Sequence, residues 1–364
     1  MIDTKTNIKT KFRAIWTEKT NMLFMLLFVA QIIGIFYSEN TDFAITRATV
    51  MLPLLFLPAI LSVEKFTKKE FKFIISICKI TIILPFIYFI LLHLIWDKRN
   101  ISTFVHFTIS NKLGISQFYL IFILFIPVIA SISALIDKQK TFFHLVLLSI
   151  SLGIIFLLGN KTSAIFVVLF WIMLIVQTYK RKKTKALIPI VTGVLIFVLA
   201  LQLPIVNQRL DVFRKTVDFN LETVITKNSF TITKNTFEHR LLIDYLALHE
   251  ILDSLPFGVG TGDFQAALNA QYQRINFKAA LDANYNAHNQ YISEFLKTGI
   301  LGGTIFVILI ILLLKKINRH QKYYAYFITF FSLACLVESY LDRQHGIVIF
   351  AFLIPFLLYN DNHD

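Results

Sequence analysis

Arg240 and His288 are the two residues whose types best suit one reaction. A guanidinium presents a planar fork of donors that matches phosphate, and it stays charged at any physiological pH. An imidazole titrates near neutrality and can take a proton from an alcohol. His288 sits among Asn284, Asn286, Asn289 and Gln290, amides suited to sugar hydroxyls. Each candidate has a plainer reading. Arg240 can form an ion pair with Asp244 one helical turn away, and His288 can cap or pack at a membrane interface. Between them runs Pro256-Phe257-Gly258-Val259-Gly260-Thr261-Gly262-Asp263-Phe264. A glycine-rich stretch that opens a helix can cradle phosphate through backbone N–H groups, here those of Gly260 and Gly262. It can equally be a sharp turn between two helices. No βαβ pattern surrounds it, which argues against a dinucleotide site.

Two further cations stand near the same level. Arg47 lies inside an apolar run, where a charge is costly unless it snorkels or pairs. It can reach a lipid phosphate from below or pair with Asp42 or Glu39. Lys161 sits in Gly159-Asn160-Lys161-Thr162-Ser163, between two apolar runs. Glu338, Asp342 and Arg343 close a later run and read as a structural ion-pair network. The chain has no Walker loop, no GxSxG and no DxD pair. Its nine histidines are too scattered to propose a metal site.

The elements that must position these residues are membrane helices. The chain is 56% hydrophobic and contains 37 Phe. Apolar runs of about twenty residues match the thickness of a bilayer core. They predict an all-α polytopic bundle of about ten helices, at 21–38, 43–62, 73–96, 117–136, 142–159, 162–179, 186–203, 291–314, 323–341 and 346–359. The first reads as a retained helix rather than a signal peptide. The resulting division is an N-terminal bundle (1–203), a long polar loop (204–290) and a C-terminal bundle (291–364). Cys78 and Cys335 both fall in apolar runs and imply no disulfide framework.

The net charge of +14 is mainly a topology signal. Twenty Lys and Arg lie in the N-terminal tail and the alternate connections on its side, against five in the short loops opposite. This bias predicts cytoplasmic termini and an external long loop, and it argues against nucleic-acid binding. Two amphipathic patterns lie within the loop. One runs from Thr236 to Leu252 with Phe237, Leu241, Leu248 and Leu252 on a stripe. The other opens at Asp263, a plausible N-cap, and carries Phe264, Leu268, Tyr272 and Ile275. Such helices can lie on the membrane surface over the bundle.

In their order, Arg240, the Pro256–Phe264 stretch, His288-Asn289-Gln290-Tyr291 and Gly299-Ile300-Leu301-Gly302-Gly303 resemble the signature region of the O-antigen ligase and polymerase family of bacterial envelope proteins. The tail Glu338-Ser339-Tyr340-Leu341-Asp342-Arg343-Gln344-His345-Gly346 is similar to the end of family members. The resemblance implies a fold like that of membrane-embedded lipid-donor glycosyltransferases. It also implies transfer of a glycan from undecaprenyl pyrophosphate to an acceptor hydroxyl on the periplasmic face of the bacterial inner membrane. Ligases use the lipid A core as acceptor, polymerases use a lipid-linked repeat, and related members glycosylate proteins. By this resemblance Arg240 is the family arginine on the pyrophosphate and His288 the family histidine. No cofactor or metal is expected. Many members carry an Arg near the outer end of the helix pair before the large loop; the nearest match here is Lys161, and a Lys can serve phosphate only as a point charge. A lipid-linked oligosaccharide transporter is the rival from another class. The scarcity of charges within the apolar runs, with Lys79 the clearest, counts against it.

Overall fold

The structure, a computed structural model, describes residues 8–64, 66–95, 117–136, 141–158, 161–181, 191, 217–230, 235–318 and 321–360. Among these, every regular element is helical. Three helical stretches are long and apolar enough to cross a membrane: Thr41–Val63, Phe118–Leu135 and Gln290–Lys315. The Thr10–Thr17 and Lys19–Ile35 helices meet at 75° and make a fourth if counted as one broken span. The helices Lys68–Ile95, Thr141–Leu158 and Lys161–Arg181 fall where apolar runs predict them. The helix expected at 186–203 lies outside the described residues apart from residue 191. The protein is an all-α, polytopic membrane protein.

Local chemistry sets several boundaries. Asn40 caps the Thr41–Met51 helix by accepting from the Phe43 N–H at 3.1 Å. Pro53 then starts the Pro53–Val63 helix, where a fixed φ and a missing N–H cost nothing. Aromatic rings fill the bundle core. Phe125 stacks on Phe330 at 5.1 Å, and Phe122 meets Tyr340 edge-on at 4.9 Å. Such offset and edge contacts stabilise beyond the area they bury.

The long loop builds a second, smaller core. The Thr236–Ser254 helix buries Leu242, Ile243, Leu246, Ala247 and Ile251 against Phe264, Leu268 and Tyr272 of the Phe264–Arg274 helix. Of the stripe expected on the first of these helices, Phe237, Leu248 and Leu252 are exposed, while Leu241 packs half-buried against the loop core. Periodicity finds an apolar face but does not say whether protein covers it. The second stripe does point inward. Asp263, expected to cap its own helix, accepts the N–H groups of Glu39 at 2.7 Å and Asn40 at 2.9 Å.

Two interruptions of the bundle position the site. The Gln290–Lys315 helix is broken at Gly299, whose φ of +59° and ψ of −146° are open to glycine. The glycine-rich stretch inserts there backbone to backbone. Val259 N–H donates to Leu296 O at 2.9 Å, Gly260 N–H to Lys297 O at 3.0 Å and Ile300 N–H to Pro256 O at 2.9 Å. A side chain on Gly258 would meet the Gly299 nitrogen at 2.5 Å, so the approach requires glycine.

The second interruption corrects the helix expected at 323–341. That helix runs only from Lys322 to Ala334, and the chain then turns through 335–339 into a single 3₁₀ turn, Tyr340–Asp342. No proline or glycine forces this. Partners elsewhere take up the freed backbone groups. Gln290 N–H donates to Cys335 O at 2.8 Å, and Leu341 N–H donates to Gln290 Oε1 at 2.7 Å. The helix Gln344–Val348 follows, continuing through a wider π turn into Ile354–Asn360.

Candidate active site

The corner at 335–343 faces the turn before the Gln290–Lys315 helix, and His288 stands between them. Its φ is +47°, a left-handed conformation that non-glycine residues adopt rarely and mostly where surroundings enforce it. Asn286 helps to enforce it, since its Oδ1 accepts the His288 N–H at 3.1 Å. The imidazole Nδ1 lies 3.1 and 3.2 Å from the two oxygens of Glu338. A carboxylate accepts, so Nδ1 is the donor of this contact, which in the neutral imidazole leaves the lone pair on Nε2. Glu338 is itself buried.

Arg240 projects from the Thr236–Ser254 helix into the back of this pair. Its Nη1 donates to the carbonyl of Val337 and, at 3.2 Å, to that of His288, while Nη2 lies 3.8 Å from Glu338. One nitrogen of the fork expected to hold phosphate is therefore engaged by the backbone around the histidine, and the other faces Glu338. Arg47 does the same on the other side of the corner. Its guanidinium donates to the carbonyls of Leu341, at 3.0 Å, and Asp342, and lies 3.8 Å from the Asp342 carboxylate. The expected partners Asp42 and Glu39 give way to Asp342.

Asp342, expected to form a network with Glu338 and Arg343, centres one with Lys297 and Arg47 instead. Its carboxylate accepts from Lys297 Nζ, from Asn286 Nδ2 at 3.1 Å and from Ser293 Oγ at 3.3 Å. Burial opposes its charge, but Lys297 and Arg47 outweigh that and hold the carboxyl below its ordinary value. Lys297 also lies over the ring of Phe264, 4.6 Å from its centroid. Glu294, one turn before Lys297, accepts from Gln290 at 2.6 Å and Gln31 at 2.8 Å. Hydropathy hid Glu294 and Lys297, because two charges vanish in the average of a long apolar run. An i,i+3 acid–base pair inside such a run was the available signal.

His288, Glu338, Arg47, Asp342 and Arg343 line one cavity of about 440 Å³. The remaining sequence candidates belong to the scaffold around it. Asn289 caps the Gln290–Lys315 helix, accepting from Tyr291 N–H at 3.0 Å and Ile292 N–H at 3.3 Å. Gln290 is fully buried, with both ends of its amide engaged. The N–H groups proposed for a phosphate cradle are taken. That of Gly260 goes to Lys297 O and that of Gly262 to Ser38 Oγ at 3.0 Å. Lys161 opens the Lys161–Arg181 helix, and its side chain lies outside the described residues. Glu338, the partner that fixes His288, stands out in sequence only as one of a charge network, because nothing local links the two.

The arrangement is a histidine oriented by a carboxylate and open to a cavity between membrane helices and a loop with its own core. No curated protein matches the chain. Residues 145–307 match the family model described as O-antigen ligase, and that stretch contains Arg240, the glycine-rich turn, His288 and Gly299. Over this stretch, a little under half of its length, the chain is similar to the O-antigen ligase family.

Proposed function

We propose that this protein is a glycosyltransferase that moves a glycan from undecaprenyl pyrophosphate to an acceptor hydroxyl on the periplasmic face of the bacterial inner membrane. The observation that carries the reading is the His288–Glu338 pair, set at the wall of a cavity in a chain whose residues 145–307 match the O-antigen ligase family model. The unequal distribution of Lys and Arg supports an external position for the loop. There the donor must arrive already activated, as a lipid-linked glycan is.

In this mechanism His288 Nε2 takes the proton of the acceptor hydroxyl as its oxygen attacks the anomeric carbon. The new C1–O bond forms as the bond to the diphosphate breaks in line. The configuration at C1 inverts, and undecaprenyl diphosphate leaves. Glu338 holds the ring and stabilises the imidazolium. The donor brings its own leaving group, so the chief demand is for positive charge near the growing negative charge. Arg240 serves as a positioning residue: it holds the His288 and Val337 carbonyls and so sets imidazole and carboxylate against each other. The amide-bearing residues Gln265, Asn284 and Asn286 on the loop side of the cavity would receive sugar hydroxyls.

General-base help is typically worth about 10²–10⁴-fold in rate. His288→Ala in proteoliposomes carrying lipid-linked glycan should lose turnover by that order while donor binding persists. Transfer at the wild-type rate would return His288 to an interfacial cap. The acceptor is settled by supplying lipid-linked repeats with and without a lipid A core. Transfer only to the core makes the protein a ligase, the reading preferred here. Chain growth without core makes it a polymerase.

A further inference from the structure

Three arginines stand around the 335–343 corner, and two are committed to the fold. Arg47 gives both Nη groups to backbone carbonyls, Arg240 gives its Nη1 to two of them, and each lies beside an acid. The acids are matched as well. Asp342 faces Lys297 and Arg47, while Glu338 faces His288 and Arg240. Arg343 is the cation left over. It is exposed, it lines the cavity, and among the described residues its guanidinium has no hydrogen bond or ion pair.

The cavity walls differ in character. Phe43, Val50 and Phe118, from the two spans Thr41–Val63 and Phe118–Leu135, make an apolar side. Gln265, Asn284, Tyr285 and Asn286, from the loop, make a hydrogen-bonding side. A molecule with an apolar tail, an anionic junction and a hydroxyl-rich head would place each part against matching chemistry. Arg343 adds an uncommitted planar fork to that cavity, and such a fork binds phosphate through two parallel charge-assisted bonds.

We infer that Arg343 is the phosphate-binding residue of the cavity, and that its ligand is a lipid-borne diphosphate. The assignment rests on the glycan-transfer reading and adds to it the residue that meets the donor's charge, in place of Arg240.

The test is saturable binding of undecaprenyl diphosphate to the full-length protein in nanodiscs of zwitterionic phospholipid. Arg343→Gln should weaken binding about tenfold or more, as expected for a charge-assisted hydrogen bond lost. Arg343→Lys should recover part of it. Arg274→Gln, which removes an exposed charge elsewhere on the loop, should change nothing. Diphosphate binding within twofold of wild type in Arg343→Gln overturns the assignment and leaves the glycan-transfer reading standing. A wild-type protein that does not bind the diphosphate at all sinks both. A second arm adds phosphatidylglycerol to the discs. If Arg343→Gln lowers only the enrichment of that lipid, Arg343 reads bulk headgroup phosphate and the diphosphate assignment is wrong.

Discussion

The bundle is interrupted twice near the candidate site, and the two breaks are repaired by different chemistry. At Gly299 the freed carbonyls of Leu296 and Lys297 receive backbone N–H groups from the glycine-rich stretch. At the 335–343 corner the carbonyls of Val337, Leu341 and Asp342 receive arginine forks. Both answers meet one demand, since a backbone group buried without a partner costs about 1–3 kcal/mol. The first repair needs close approach, so it consumes glycines and excludes ligand. The second brings positive charge next to Glu338 and Asp342, so a structural device and a reactive pair share the same atoms. Charged residues near a site are thus of two kinds here, those holding the corner and those facing the cavity.

The backbone repair is the more brittle. Gly299→Val places a branched side chain at positive φ and drives its Cβ into the Pro256 carbonyl. Strain and overlap together cost several kcal/mol, on the order of 3–5. The expected result is loss of monodisperse protein in detergent, judged by size-exclusion chromatography. A well-folded Gly299→Val protein would mean that the loop does not dock in the break.

The side-chain repair should fail more gradually and with a pH signature. Asp342→Asn leaves Lys297 and Arg47 without their shared counter-charge, a change worth about 3 kcal/mol in buried pairs. The carboxyl of Asp342 is held below its ordinary value, so it binds fewer protons folded than unfolded at mildly acid pH. Its contribution is present above the unfolded pKa and fades as pH falls through the lower folded one. Thermal unfolding of wild type and Asp342→Asn should therefore differ most near neutrality and converge in strong acid. A constant gap across pH would remove Asp342 from the charge network.

Arg240→Lys should cost about 2 kcal/mol, because a shorter side chain with one nitrogen cannot hold the Val337 and His288 carbonyls and also present a second nitrogen to Glu338. Turnover should fall with stability while the affinity for undecaprenyl diphosphate holds. The reverse outcome, full stability with lost donor affinity, would restore the phosphate role that the family resemblance implies for Arg240. This variant separates the two kinds of charge most directly.

How far the sequence speaks depends on the range of the interaction. Apolar runs place the helices because each run is read from its own residues. Asn289, expected to meet sugar hydroxyls, caps a helix, and Asp342 takes its charge partners from Arg47 and from Lys297, which hydropathy hides. The repairs are not legible. Val259 with Leu296, and Arg240 with Val337, meet only after the bundle assembles. Arg240 and the glycines carry the residue types of a phosphate site, and the fold spends them on backbone. In sequence Arg343 resembles Glu338 and Asp342, one more charge at the end of an apolar run, because exposure is a property of the assembled corner.

The helix that carries Arg240 gives the smallest expected effect and a control on the rest. Residues Thr236–Ser254 reach the corner through Arg240 and lead into the Gly299 break through Pro256, yet Leu252 points away from both and is 66% exposed. Leu246, on the opposite side, is buried in the loop core. Leu246→Ala should therefore cost about 2–5 kcal/mol, and Leu252→Ser less than about 0.5 kcal/mol in detergent. An equal loss from both would mean that the outward face is covered by protein. If Leu252→Ser is silent in detergent yet weakens the protein's retention of lipid, the face meets the bilayer. An apolar stripe in a membrane protein has two possible solvents, and this pair of substitutions tells which one the loop helix uses.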